Sequence, residues 1–150
     1  EFFDPFAGAR EIRLEVDASA GARVEGDPAL LRRLVANLVD NAIRYSEAGG
    51  EILVRVEREG GWVRLRVADR GPGIDSEALG KVFDRFFRSD RARTLNPEGT
   101  GLGLAFVRAV ARAHGGEAHV AARFGGGSVF TVELPPALEV QPARTAPLAP

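Results

Sequence analysis

The chain has 150 residues, 45% of them hydrophobic, and a net charge of −1 from 20 basic and 21 acidic side chains. That size suits one domain with a true core, and the balanced charge gives no electrostatic case for nucleic acid or an anionic membrane as partner. Cysteine is absent, which excludes disulfides and thiol chemistry, and no apolar run approaches the roughly 18 residues of a membrane span.

There is no signal-peptide pattern and no methionine, so the chain is expected to be a piece of a longer parent. Residues 1–10 are punctuated by Gly and Pro and carry little pattern. "EIRLEVDA" (11–18) alternates Ile12, Leu14 and Val16 with charged neighbours, as a half-buried strand does. "ARVEGDP" (22–28) reads as a short second strand running into Asp27, an N-cap set before the first-turn proline Pro28. Over 28–45, Leu30, Leu31, Leu34, Val35, Leu38, Val39, Ala42 and Ile43 recur at three- and four-residue steps, predicting an amphipathic helix. Residues 51–59 and 62–69 alternate around Gly60-Gly61 and predict a hairpin.

Residues 75–100 are polar and aromatic without a long periodic run, predicting a long connecting loop of the kind that is functional or disordered. A second helix, about 101–114, stops at Gly115-Gly116, and "EAHVAAR" and "SVFTVELP" flank "FGGG" as a last hairpin. From Pro135 to residue 150 the Pro/Ala-rich composition predicts a flexible tail. The order is β-β-α-β-β-loop-α-β-β. Hairpins dominate and only two long helices are available, so the fold class is α+β, with helices layered on one face of a mixed sheet.

Four stretches could carry chemistry. Asn37, Asn41 and Arg44 share one stripe of the first helix, flanked by Arg33 and Asp40. A solvated face is one reading. Asparagine is a poor helix former, however, and amide oxygens suit Mg²⁺ while arginine suits phosphate. "DRGPGI" (69–74) is either a turn or a site in which Asp69 accepts a hydrogen bond from an amino group beside Gly71 and Gly73. "GTGLGL" (99–104) opens the second helix, where unpaired N–H groups favour an anion. It lacks the lysine of a Walker loop, and no strand precedes it as a dinucleotide fingerprint requires. "VFDRFFRSDRAR" (82–93) places Phe83, Phe86 and Phe87 in the core or in a lid, and its arginines in solvent or near a phosphate. His114 and His119 have no ligand-spaced partner, and structural roles are expected of both.

"LLRRLVANLVDNAIRYS", "DRGPGI", "VFDRFFR", "GTGLGLAFV" and "AHGG", in this order and spacing, resemble the ATP-binding catalytic domain of bacterial two-component sensor histidine kinases. These belong to the wider gyrase, heat-shock chaperone, histidine kinase and MutL ATPase group. The resemblance runs over about residues 11–134, and it implies the two-layer α/β sandwich of the Bergerat type. The domain is taken as 1–134, with a lid at about 81–100.

The resemblance implies ATP and Mg²⁺ as cofactors. Asn41 would be the main metal ligand and Asn37 a second one, with Asn37, Arg44 and Arg85 nearest the transferred phosphate. Tyr45, Asp69, Gly71, Gly73 and Ile74 would line the base end, and Phe86, which with Phe83 matches the F box, would also bind the nucleotide. Gly99, Thr100, Gly101, Leu102, Gly103 and Leu104 would cradle the phosphates and hinge the lid. The gyrase, chaperone and MutL ATPases carry a glutamate as general base where Asn37 stands, and an amide cannot take a proton from water.

Transfer to an imidazole nitrogen is therefore implied in preference to hydrolysis. The acceptor histidine would lie on a separate dimerising helical domain outside this chain, and the phosphoryl group would pass on to a response regulator aspartate. An ATP-sensing module without transfer, or a related ATPase or serine kinase, is the alternative. The fragment is expected to be monomeric, to bind no nucleic acid, and to be the cytoplasmic part of a membrane-anchored sensor.

Overall fold

The computed structural model describes residues 11–139, so the expectations for the first ten residues and for the tail beyond 139 lie outside the described range. Five strands form one sheet: β1 (Arg13–Ala18), β2 (Glu51–Glu59), β3 (Trp62–Ala68), β4 (Glu117–Ala122) and β5 (Ser128–Leu134). Their order across the sheet is β1-β2-β3-β5-β4. β1 runs parallel to β2, and every other pairing is antiparallel. The long helix α1 (Pro28–Tyr45) makes the crossover between the parallel pair. Between β3 and β5 the chain passes through α2 (Ser76–Leu79), α3 (Asp90–Leu95) and α4 (Gly103–Ala113) before β4.

α1 begins where the sequence places it. Asp27 accepts from the N–H groups of Ala29 at 2.8 Å and Leu30 at 3.1 Å, and Pro28 follows as the first helical residue. Its apolar stripe buries Leu34, Leu38, Val39, Ala42 and Ile43. α4 buries Val107, Val110 and Ala111 beside it. Both helices pack on one face of the sheet, against Ile52, Val54, Leu65, Val67, Phe130 and Val132. Burying each such side chain stabilises the fold by about 1.5–3 kcal/mol. The helices of the expected α+β sandwich thus do lie on one face of a mixed sheet.

His114 ties the two helices together at their ends. Its Nδ1 lies 2.8 Å from Val110 O, and its Nε2 accepts from the N–H of Asp27, the α1 cap, at 3.1 Å. Both ring nitrogens are thus engaged by main-chain groups, a structural role.

The opposite face of the sheet is open and charged. Arg64 bonds Glu133 at 2.7 Å and Glu59 at 2.8 Å; Arg66 bonds Glu59 at 2.7 Å and also pairs with Glu57. Arg55 lies directly opposite Arg66 in the register, yet it turns to Asp17 at 3.2 Å, so the like charges are each neutralised elsewhere.

Two local expectations, the strand at 22–28 and the helix-free 75–100 loop, are corrected. Residues 22–26, between the turn at Gly21 and the cap at Asp27, form no strand. The run bonds instead to the chain beyond β5, where the Ala137 N–H donates to Arg23 O at 2.7 Å. That bond and the Arg58–Glu139 pair at 2.8 Å also hold the first residues of the predicted tail. The 75–100 connection contains two helices, each too short to show a period in sequence.

α4 and β4 are also joined by Glu117, which accepts from Arg108 at 2.9 Å, from Arg112 at 3.0 Å and from the Ala118 N–H at 2.9 Å. Burial is the largest single influence on its carboxyl and would raise it. The Arg108, Ala118 and Arg112 donors together outweigh burial and hold the carboxyl at about 2, below the ordinary 4.5. A carboxyl depressed in the folded state adds stability above its unfolded value and loses it as pH falls toward the folded one. Glu117→Gln is therefore expected to lower stability at neutral pH and to flatten the acid-side loss between about 4.5 and about 2. Urea titrations across that window check it; a variant with the wild-type slope contradicts the assignment.

Candidate functional site

A cleft of about 790 Å³ lies between α1, the start of α4, the β3–β5 strand ends and the segment carrying α2 and α3. Asn37, Asp40, Asn41, Arg44 and Tyr45 of α1 form one wall. The helix puts them there because its apolar stripe faces the sheet, leaving the polar stripe to look across the cleft. The Asn37 amide donates from Nδ2 to Gly103 O at 3.4 Å, which joins the wall to the first residue of α4 and leaves its oxygen as an acceptor. Asp40 and Arg44 bond one another at 2.8 Å.

Asp69 closes one end and is only 4% exposed. Its Oδ1 accepts from the N–H of Gly71 at 2.9 Å and of Ser128 at 3.3 Å. Burial, the larger influence, raises the carboxyl; the two N–H bonds and the charge of Arg123 oppose it. Its Oδ2 has no hydrogen bond among the described residues, and Asp69 lines the cleft.

The β4–β5 turn makes this placement possible. Gly127 sits at φ +97° directly against Asp69, and a Cβ there would overlap the Asp69 carbonyl oxygen. Gly73 packs against the same turn and lines the cleft. Only "FGGG" marked this turn in sequence, and three equal glycines do not say which one meets the acid.

The other end is the N-terminus of α4. Its N-cap, Leu102, offers no side-chain bond, so the first-turn N–H groups are left for whatever occupies the cleft. Gly99, Thr100, Gly101, Gly103 and Leu104 line this end. The segment carrying α2 and α3 is fastened to the start of α4. Phe86 N–H donates to Gly101 O at 3.0 Å, and both residues lie at positive φ, +64° and +71°. A Cβ on Gly101 would come within 2.8 Å of the Phe86 backbone.

Of the predicted site residues, Asn37, Asn41, Arg44, Tyr45, Asp69, Gly73 and Ile74 line the cleft with the glycine-box residues just named. Four do not line it. Gly71 faces away, its Cα packed under the Tyr45 carbonyl. Leu102 is 40% exposed on the outer side. Phe86 is 70% exposed, because its left-handed backbone turns the side chain out. Arg85 is exposed outside the lining; Arg88 and Arg91 occupy the lid wall instead. Phe87, read in sequence as core or lid, also lines the cleft, as do Ser128 and Asn96, which were not singled out in sequence. Phe83 belongs to the core edge, meeting Phe130 edge-on at 6.2 Å.

A buried carboxylate at one end of the cleft and an uncapped helix N-terminus at the other suit a ligand that donates a hydrogen bond at one end and is anionic at the other. A family model described as histidine kinase-, DNA gyrase B-, and HSP90-like ATPase matches residues 26–138, and the chain belongs to that family. It is 44% identical over 125 residues to the sensor-like histidine kinase SenX3 of Mycolicibacterium smegmatis, covering 83% of this chain and 33% of that protein. It is 36% identical over 141 residues to the phosphate regulon sensor protein PhoR of Pseudomonas aeruginosa, covering 94% of this chain and 32% of that one.

Among solved structures, a mycobacterial sensor histidine kinase MprB matches at 36% identity and TM-score 0.76, over 88% of this chain and 90% of that one. ShkA, solved at full length with AMPPNP, matches at 32% identity and TM-score 0.77, over 98% of this chain and 30% of that one. The chain thus spans about a third of the length of the curated relatives it matches. No helix among the described residues is long and apolar enough to cross a membrane.

Gly127→Ala forces the two strand ends apart. A loss of about 1–3 kcal/mol is expected in thermal or urea unfolding. A change within a few tenths of a kcal/mol means the turn does not hold Asp69 as described.

Proposed function

We propose that this chain binds Mg-ATP and presents the γ-phosphoryl group to a histidine on a separate dimerisation domain, for onward transfer to a response regulator aspartate. The observation that carries the reading is the pairing of the buried Asp69 carboxylate with the uncapped start of α4 across a single cleft. An adenine amino group donates to the first, and phosphate oxygens accept from the second. That ShkA was solved in complex with AMPPNP supports a nucleotide in a cleft of this fold.

Asn37 and Asn41 fit a magnesium site that is completed by phosphate and water. Their amide oxygens are hard donors, and no cluster of three acidic or histidine ligands exists among the described residues to hold a metal alone. Magnesium would supply charge neutralisation at the phosphates. Arg44, on the same wall, adds a positive charge there. Asn37 offers no base for activating water, whereas an imidazole nitrogen attacks without first losing a proton to the enzyme. The work of the chain is positioning and charge, which suits phosphoryl transfer. Arg85 and Phe86, exposed at the lid base, are assigned to the meeting with the acceptor domain. As in the named relatives, the parent is a sensor kinase. We assign the chain to its cytoplasmic side, with the response regulator as the downstream partner.

Mixing this chain with the purified dimerisation domain of its parent and γ-labelled ATP is expected to label a histidine, with no label on this chain alone. Absence of phosphohistidine in that mixture and in the intact parent overturns the kinase reading. Asp69→Asn keeps an acceptor for Gly71 and Ser128 but turns a donor toward the adenine amino group. ATP affinity is expected to fall about 10- to 100-fold by calorimetry, with GTP affected less. An equal loss for both nucleotides removes the adenine role.

A further inference from the structure

Arg88 stands on the lid wall of the cleft, yet its guanidinium is committed to the main chain. Its Nη2 donates to Ala92 O at 2.8 Å and also to Asn96 O, and its Nη1 donates to Pro97 O at 3.3 Å. One carbonyl is that of Ala92 within α3, which also accepts from the Asn96 N–H at 2.9 Å; the other two follow the last helical residue, Leu95. A helix leaves its last carbonyls unpaired and its C-terminal end negative, and a cation there is favourable.

α3 has little else to hold it. It is six residues long and buries no residue. Isolated helices shorter than roughly 12 residues are marginal in water. Ser89 caps one end by accepting from the Ala92 N–H at 3.1 Å; Arg88 is the counterpart at the other. The fit extends to the hinge side. A Cβ on Gly99 would stand 2.9 Å from Arg88 Nη2 and 2.8 Å from Asn96 Nδ2, so the glycine leaves room for the strut.

We infer that Arg88 is a positioning residue: it holds the lid helix in shape beside the cleft through hydrogen bonds to main-chain carbonyls, and does not act as a charge on the nucleotide. Only a forked, planar donor reaches three carbonyls at once; a lysine ammonium has the charge without the fork. The part of the inference that concerns nucleotide rests on reading the cleft as an ATP site, but the part that concerns the lid does not.

The test compares wild type, Arg88→Lys and Arg88→Gln. Hydrogen exchange of the nucleotide-free proteins is followed at the amides of residues 90–96, and ATP affinity is then measured by calorimetry. Lid amides are expected to exchange about tenfold faster in both variants, with exchange in β3 and β5 unchanged, since charged hydrogen bonds are lost locally. ATP should weaken to a similar extent in both, lysine giving no rescue. Wild-type exchange rates at the lid in both variants overturn the inference. So does lysine restoring the ATP affinity that glutamine loses, which marks Arg88 as a phosphate-binding charge. If wild type binds no ATP, the nucleotide reading fails, and the exchange rates still decide whether Arg88 is the strut.

Discussion

Asp69 is a carboxylate taken almost wholly out of water, and the strand ends around it are arranged to meet that cost. Its donors come from two places: Gly71 just after β3 and Ser128 at the start of β5. They converge only when β3 and β5 run side by side to the register that ends at Ala68 and Val129. Gly127 removes the one side chain that would hold the strands apart there. The two carboxylate oxygens then divide the labour. Oδ1 is bound into the fold, and Oδ2 has no hydrogen bond among the described residues. A single residue so links the pairing of the central strands to the chemistry of the cleft.

The far wall follows from a second coupling, within α1. Leu34, Leu38 and Ala42 are almost fully buried and fix the rotation of the helix on the sheet. At about 100° per residue, that rotation leaves Asn37, Asn41 and Arg44 no direction but the cleft. His114 adds the long-range fastening, because the cap that starts α1 also bonds the ring that ends α4. The asparagine stripe and the open helix start therefore face each other because the core and the caps hold them so.

What sequence could reveal was periodic or punctuated. α1, both hairpins and α4 carried several turns or alternations of apolar residues, and the asparagines stood out because they are costly in a helix. The misses share another character. Residues 22–26 find their hydrogen bond at residue 137, and no local pattern reports so distant a partner. α2 and α3 are shorter than a readable period. Four arginines crowd residues 85–93, and which of them face the cleft is set by the left-handed backbone at Phe86, a conformation phenylalanine gives no hint of. Ser128 became part of the site only through its main-chain N–H, which every residue type shares.

The charged face of the sheet bears on how reliably the chain finds its fold. The exposed pairs of Arg64 and Arg66 with their glutamates each stabilise the native state little. Their larger effect is on wrong pairings. A slip of one residue between β2 and β3 would exchange the faces, carrying Arg64 and Arg66 under the helices where Leu65 and Val67 now pack. Burying two guanidinium groups without partners costs far more than the correct ladder gains. The alternation thus works as a proofreading device for strand register, excluding misaligned hairpins before α1 and α4 can close over them.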